Sequence, residues 1–223
     1  MPFEKFPLSL PDNTIMKRIL DINTWDRKEH FNFFKNFEEP FFGVTVELEC
    51  TIAYQRCKQQ GFSFFLYYLH KSLHAVNEIE PFRYRIADSQ VVVYDRVHAT
   101  PTILRPDNTF GFSYIDYSSD FETFAEAGKK EINRIQNNTG LVPAESGDNV
   151  IHYSSLPWIR FTSFSHARRL SSGDSCPKIS FGKIIEADGK RTMPLSIHVH
   201  HALMDGYHVG QYMELYQQLM NES

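Results

Sequence analysis

The sequence predicts a single α+β domain, a two-layer sandwich of a mixed or antiparallel sheet covered by helices. Three observations point that way. Segments with the twofold alternation of strands are interspersed with segments whose apolar residues recur at helical spacing. The strands are joined by hairpin-type turns rather than by regular βαβ repeats. No internal repeat or low-complexity linker divides the 223 residues, of which 42% are hydrophobic and 14% aromatic, enough for one sizeable core.

Residues 44–50 (VTVELEC) alternate cleanly. Val44, Val46, Leu48 and Cys50 fall on one face and Thr45, Glu47 and Glu49 on the other, the pattern of a half-buried strand. Ser63 is placed to cap a helix running to about Asn77, with Phe64, Tyr68, Leu69, Leu73 and Val76 at near-helical spacing and Pro81 just beyond. FRYRI and VVVYDRV then read as strands split by Ala87, Asp88 and Ser89. Residues 119–137 predict a helix capped by Ser119, with Gly128 as its weak point. The polar stretches 139–149 and 165–177 read as surface loops flanking a strand that carries Pro157 and Trp158. KISFGKII and RTMPLSIHV are strands about the turn Ala187-Asp188-Gly189-Lys190. The last helix begins near Gly206, where Val209, Tyr212, Met213, Tyr216, Leu219 and Met220 form an apolar stripe.

Composition excludes several classes. Lys+Arg 23 against Asp+Glu 27 gives a net charge of −4, the wrong sign for a protein that grips nucleic-acid phosphates. Nineteen Phe and eleven Tyr argue against intrinsic disorder. The N-terminus lacks a basic region followed by an unbroken apolar run, so no secretory signal is read there. The most apolar stretch, FSFFLYYLHKSLHAV, is interrupted by His70 and Lys71 and is no membrane span. Three scattered cysteines (Cys50, Cys57 and Cys176) form no CxxC pair, which suits a reducing cytoplasm.

Four of the ten histidines, His198, His200, His201 and His208, fall within LSIHVHHALMDGYHVG. Strand phase groups Leu195, Ile197 and Val199 on one face, with His201 in step at the strand's end and His198 and His200 opposite. Three readings stay open on these residues alone. The histidines are structural; or His201, Asp205 and His208 hold a metal, although a turn at Gly206 breaks their shared helical face; or His201 is a general base supported by Asp205. A half-desolvated imidazole stays neutral near pH 7, the state a base needs.

HHALMDGYH resembles the HHxxxDG signature of the CoA-dependent acyltransferase superfamily. Further blocks resemble its chloramphenicol acetyltransferase family in order and spacing: WDRKEHFNFF (25–34), FRYRI with VVVYDRVH (82–98), SSLPWIRFTSF (154–164), and KISFGK before MPLSIHVHHALMDGYHVG. They extend from about Leu20 onward within one domain, 1–223, leaving residues 1–19 as a candidate N-terminal extension. The resemblance implies acetyl-CoA as cosubstrate, no metal, and direct transfer to a hydroxyl of chloramphenicol or a similar small acceptor, with antibiotic resistance as the associated trait. It implies that His201 takes the hydroxyl proton and Ser154 stabilises the oxyanion, while Asp205 pairs with Arg27 to orient the base. Motif context selects Ser154 over its neighbour Ser155. A cytoplasmic homotrimer is implied, with sites at subunit interfaces, acceptor side chains from Phe33, Phe34, Phe41, Phe42, His152 and Ser180, and no nucleic-acid or membrane partner.

Several positions depart from the drug-modifying pattern, and all lie on the acceptor side. Phe34 stands where a tyrosine is usual, Ser180 replaces a threonine, His152 replaces asparagine or phenylalanine, and the 165–177 loop carries Arg168 and Arg169. Two alternatives therefore accompany the main reading: the same transfer to a different acceptor, or an inactive binding protein on the same fold.

Overall fold

A computed structural model describes residues 16–141, 147–168 and 173–222. In chain order the elements are β1 (Lys17–Ile19), α1 (Lys28–Phe34), β2 (Phe41–Glu49), α2 (Thr51–Gln60), α3 (Phe64–Glu78), β3 (Tyr84–Ala87), β4 (Gln90–Tyr94) and β5 (His98–Leu104). There follow β6 (Phe110–Phe112), α4 (Phe121–Gln136), β7 (Val150–Ser155), β8 (Lys178–Phe181), β9 (Ile185–Ala187), β10 (Lys190–His200) and α5 (Gly206–Asn221). The main sheet has the order β2-β10-β8-β7-β5-β6, with β9 hairpinned onto β10, and a small sheet has the order β1-β4-β3. Pairing is antiparallel except for β5 with β7 and β7 with β8. The α+β sandwich expected from the sequence is thus present, with a mixed sheet.

Alternation decides which sheet face is covered. Leu195, Ile197 and Val199 of β10, Ile179 and Phe181 of β8, Ile151 and Tyr153 of β7, and Leu48 of β2 are all buried on the face beneath the helices. Helices α3 and α5 complete that layer with Leu66, Leu69, Leu73, Val76, Tyr212 and Tyr216. Each such side chain contributes about 1.5–3 kcal/mol through burial. The tyrosine hydroxyls are satisfied inside the core: Tyr153 and Tyr212 both bond Ser72 Oγ, at 3.0 and 2.7 Å. That pairing avoids the penalty of burying an unmade hydrogen bond.

Several expectations hold in detail and others need correction. Ser63 caps α3 by accepting from the Leu66 amide. The hairpin turn before β10 places Asp188 and Gly189 at positive φ, 50° and 75°. Helix α4 is capped by Asp120 rather than Ser119, because the Asp120 carboxylate reaches the Thr123 amide at 2.8 Å. Gly128 in that helix answers to packing, since a Cβ there would sit 2.5 Å from the Leu66 side chain. Strand β7 ends at Ser155, so Pro157 and Trp158 lie beyond it, and Phe82 with Arg83 form a 3-10 turn rather than the start of β3. From Lys17 the chain pairs with β4, so that part is no extension; residues 1–15 and Arg169 lie outside the described residues. No helix among the described residues is long and apolar enough to cross a membrane.

Asp120→Ala is expected to lower the urea midpoint of unfolding, because the Thr123 amide loses its capping partner. Ser119→Ala should leave it near wild type, which separates the two capping assignments.

Candidate active site

Strand β10 ends at His200, and the chain turns through residues 201–204 into α5. That turn is held from beneath: Ala202 and Leu203 are fully buried in a small apolar cluster with Phe31 of α1 and Tyr84, Val91 and Val93 of the small sheet. Trp25 packs at its margin, edge-on to Tyr84 at 5.7 Å. From the same N-terminal segment Arg27 forms an ion pair with Asp205 and donates a second bond to the His201 carbonyl at 3.3 Å. Burial opposes the Asp205 carboxylate, but the bond and charge of Arg27 outweigh it and hold its pKa below the ordinary value. The other carboxylate oxygen caps α5 through the Tyr207 amide at 3.1 Å, and His208 Nδ1 accepts from the Asp205 amide.

This arrangement fixes the His201 ring. Its Nδ1 lies 3.3 Å from the Met204 carbonyl, which can only accept, so Nδ1 carries the proton. Nε2 makes no hydrogen bond among the described residues and presents its lone pair. Phe34 stacks on the ring at 4.1 Å and 20°, and Phe42 leans on it at 4.8 Å. Phe33 is 64% exposed and reaches this group only through its edge contact with Phe34. An imidazole with one nitrogen pinned, the other free and aromatic rings on either side is equipped to take a proton.

The other face of the sheet is polar. Register aligns His152 with Lys178 and His198, and Ser154 with Ser180 and Ser196, across β7, β8 and β10. Ser154 points to this open side, whereas Ser155 points into the core and bonds Tyr68 Oη at 2.9 Å. Ser180 is fully buried and meets His166 Nε2 at 3.4 Å. The His198 ring lies over Gly43, where a Cβ would come within 2.5 Å of it, and its Nε2 donates to the Phe164 carbonyl at 3.0 Å. His166 packs edge-on to His198 at 5.1 Å. Burial pushes His166 and His200 down to about 4, so both are neutral near pH 7.

The residues expected at the site therefore divide into two groups. His201, Phe34, Phe42, Arg27 and Asp205 gather at the end of β10. Ser154, His152 and Ser180 lie on the polar face. Phe41 belongs with the second group, not with His201: it faces His200 at 5.3 Å, with Arg168 and Lys178 over its ring at 4.5 and 4.9 Å. Ser154 sits two strands across and five residues back from His201 along β10, a separation of roughly 18 Å. One chain cannot bring both groups to the same acyl carbon. Asp174 and Lys178, an ion pair beside Ser154, were not singled out from sequence. Their i,i+4 spacing at the entry to β8, with Lys178 in phase with Ser180, was the available signal.

The metal reading of His201, Asp205 and His208 does not fit, because Arg27 holds the Asp205 carboxylate and His208 Nδ1 holds a backbone amide. His152, Asp174 and Cys176 have ligand atoms within 4.8 Å of one another. There too a cation is already present, since the Lys178 ammonium occupies Asp174, and burial pushes the Cys176 thiol up, away from the thiolate a metal needs.

Comparison with known proteins agrees with the blocks read in the sequence. The family profile described as "Chloramphenicol acetyltransferase" matches residues 16–217. A chloramphenicol acetyltransferase of Proteus mirabilis is 31% identical over 205 residues, covering 92% of this chain and 94% of that protein. A solved structure named chloramphenicol acetyltransferase superposes with a TM-score of 0.86 at 36% identity, covering 92% of this chain and 100% of that one. A probable dihydrolipoamide acetyltransferase from Listeria monocytogenes shares the fold, with a TM-score of 0.63 at 14% identity over 86% of this chain and 88% of that one. The chain thus belongs to the chloramphenicol acetyltransferase family.

Proposed function

We propose that the protein transfers the acetyl group of acetyl-CoA to a hydroxyl of chloramphenicol or a similar small acceptor, with His201 as general base and Ser154 as oxyanion donor. The observation that carries this is the His201 ring, pinned through Nδ1 to the Met204 carbonyl with Nε2 free. Nε2 accepts the acceptor's hydroxyl proton as the oxygen attacks the thioester carbonyl. The negative charge that develops on the carbonyl oxygen is met by the Ser154 hydroxyl. The tetrahedral species then expels CoA thiolate, which recovers the proton from Nε2. No acyl-enzyme is needed: burial pushes Cys50 up to about 12 and Cys57 up to about 11, which leaves both as poor nucleophiles.

The separation of His201 from Ser154 supports a shared site. His201 of one copy faces the Ser154 cleft of another, in a cyclic homotrimer in the cytoplasm. Arg27 and Asp205 act by positioning. Neither touches the substrate; together they hold the turn that aims Nε2.

His201→Ala is expected to lower kcat for acetyl-CoA thiol release about 10²–10⁴-fold. Ser154→Ala should lower it about 10²–10³-fold, while Ser155→Ala leaves it near wild type. Asp205→Asn should reduce kcat and weaken folding together, since it removes a charged bond worth on the order of 2 kcal/mol. Because the folded Asp205 pKa is depressed, its stabilisation is full above the unfolded carboxylate pKa and fades as pH falls through the folded one. Acid unfolding of Asp205→Asn should show a correspondingly shallower dependence. EDTA should leave the rate unchanged; its loss on chelation would reopen the metal reading.

A further inference from the structure

The cleft beside Ser154 encloses about 340 Å³, and its lining includes two imidazoles, His152 and His166, with Arg168, Asp174 and Lys178. Hydrogen-bond donors dominate it. Arg168 offers a guanidinium, Lys178 an ammonium and the His166 imidazole an N–H, whereas His152 spends its Nδ1–H on Thr100 Oγ1 at 3.0 Å. The single carboxylate is already engaged, for Asp174 accepts from Lys178 and from the Cys176 amide at 2.9 Å. Glu39, which pairs with Arg168, belongs to the adjoining cleft and is 59% exposed at its mouth. The two cations flank Phe41 within 5 Å of its ring, so the aromatic side chain a flat neutral acceptor would stack on is covered.

An apolar acceptor in this cleft strips water from these donors and returns nothing to them. A ligand rich in acceptor oxygens replaces each lost water, and a negatively charged one does so with charge-assisted bonds. Resting on the acetyl-transfer reading above, we propose that the preferred acceptor carries an anionic group, a carboxylate or phosphate, set among Arg168, His166 and Lys178 with its hydroxyl beside Ser154. The Arg168 and Lys178 donors then orient the acceptor through charge-assisted bonds rather than by aromatic stacking.

The test uses matched acceptors that differ in charge: 4-(hydroxymethyl)benzoate against its methyl ester, glycerol phosphate against glycerol, with chloramphenicol as the neutral aromatic reference. Thiol release from acetyl-CoA is followed with wild type, Arg168→Leu and His166→Leu. The expected result is a kcat/KM at least about tenfold higher for one anionic member than for its neutral partner, with that ratio collapsing in Arg168→Leu. Which pair responds separates carboxylate from phosphate. Preference for chloramphenicol or for both neutral partners, unchanged by Arg168→Leu, overturns the inference and leaves acetyl transfer standing. If folded protein releases no thiol with any of these acceptors, the acetyl-transfer reading itself falls. Calorimetric binding of the same pairs then decides the rest: tighter binding of an anionic member, lost in Arg168→Leu, sustains the anion site, and equal binding within each pair removes it.

Discussion

The pleat of β10 allows no exchange between its two faces. Leu195, Ile197 and Val199 go under the helices, because they are the centre of the large apolar surface of the sheet. Ser196, His198 and His200 are thereby committed to the opposite side, together with Ser180 and Lys178 of β8 and His152 and Ser154 of β7. Core formation and site formation are one event. A one-residue slip of β10 would send the imidazoles into the hydrocarbon layer and strand the aliphatic residues in water, so the register is strongly defended.

Beyond the strand the chain has to stop alternating and aim one imidazole outward. Two kinds of force accomplish this. Apolar packing fixes where the turn lies, through Ala202 and Leu203 buried against Phe31 and the small sheet. Polar contacts fix how it is oriented: Arg27 ties the His201 carbonyl to the Asp205 carboxylate, and that carboxylate caps α5. Removing a single member leaves the others strained or unsatisfied, so effects of substitutions here will not add. Among the described residues the polar face of the sheet has no comparable clamp. Its groups come from the strands and from the segment around Phe164 and His166, which packs on His198 rather than on the His201 turn.

Much of this was legible in the sequence because it follows from period and capping alone. The alternation of 44–50, the cap at Ser63 and the Asp188-Gly189 turn are local features, and local chemistry decides them. Strand phase also assigned His201 and His200 to different sides. Helix α2 was not legible: of TIAYQRCKQQ only Ala53 and Cys57 are buried, too weak a stripe to show a period. The division between Phe41 and Phe42 was not legible either, since the two adjacent rings look equivalent in sequence but face opposite sides of the sheet. The Arg27–Asp205 contact spans 178 positions and no spacing rule reaches it; it came only from the family resemblance. The Asp174–Lys178 pair was missed because a lysine in a strand reads as surface, whereas here burial and pairing go together.

The central claim is that one catalytic centre is assembled from His201 of one copy and Ser154 of another. It is tested most directly by mixing two inactive variants, His201→Ala and Ser154→Ala, dissociating them and letting them reassemble at equal concentration. Hybrid assemblies then contain sites with both groups intact, and thiol release should return to roughly a quarter of the wild-type rate. Mixtures that remain as inactive as the separate variants, despite exchanging subunits, would place both groups within one chain and contradict the account.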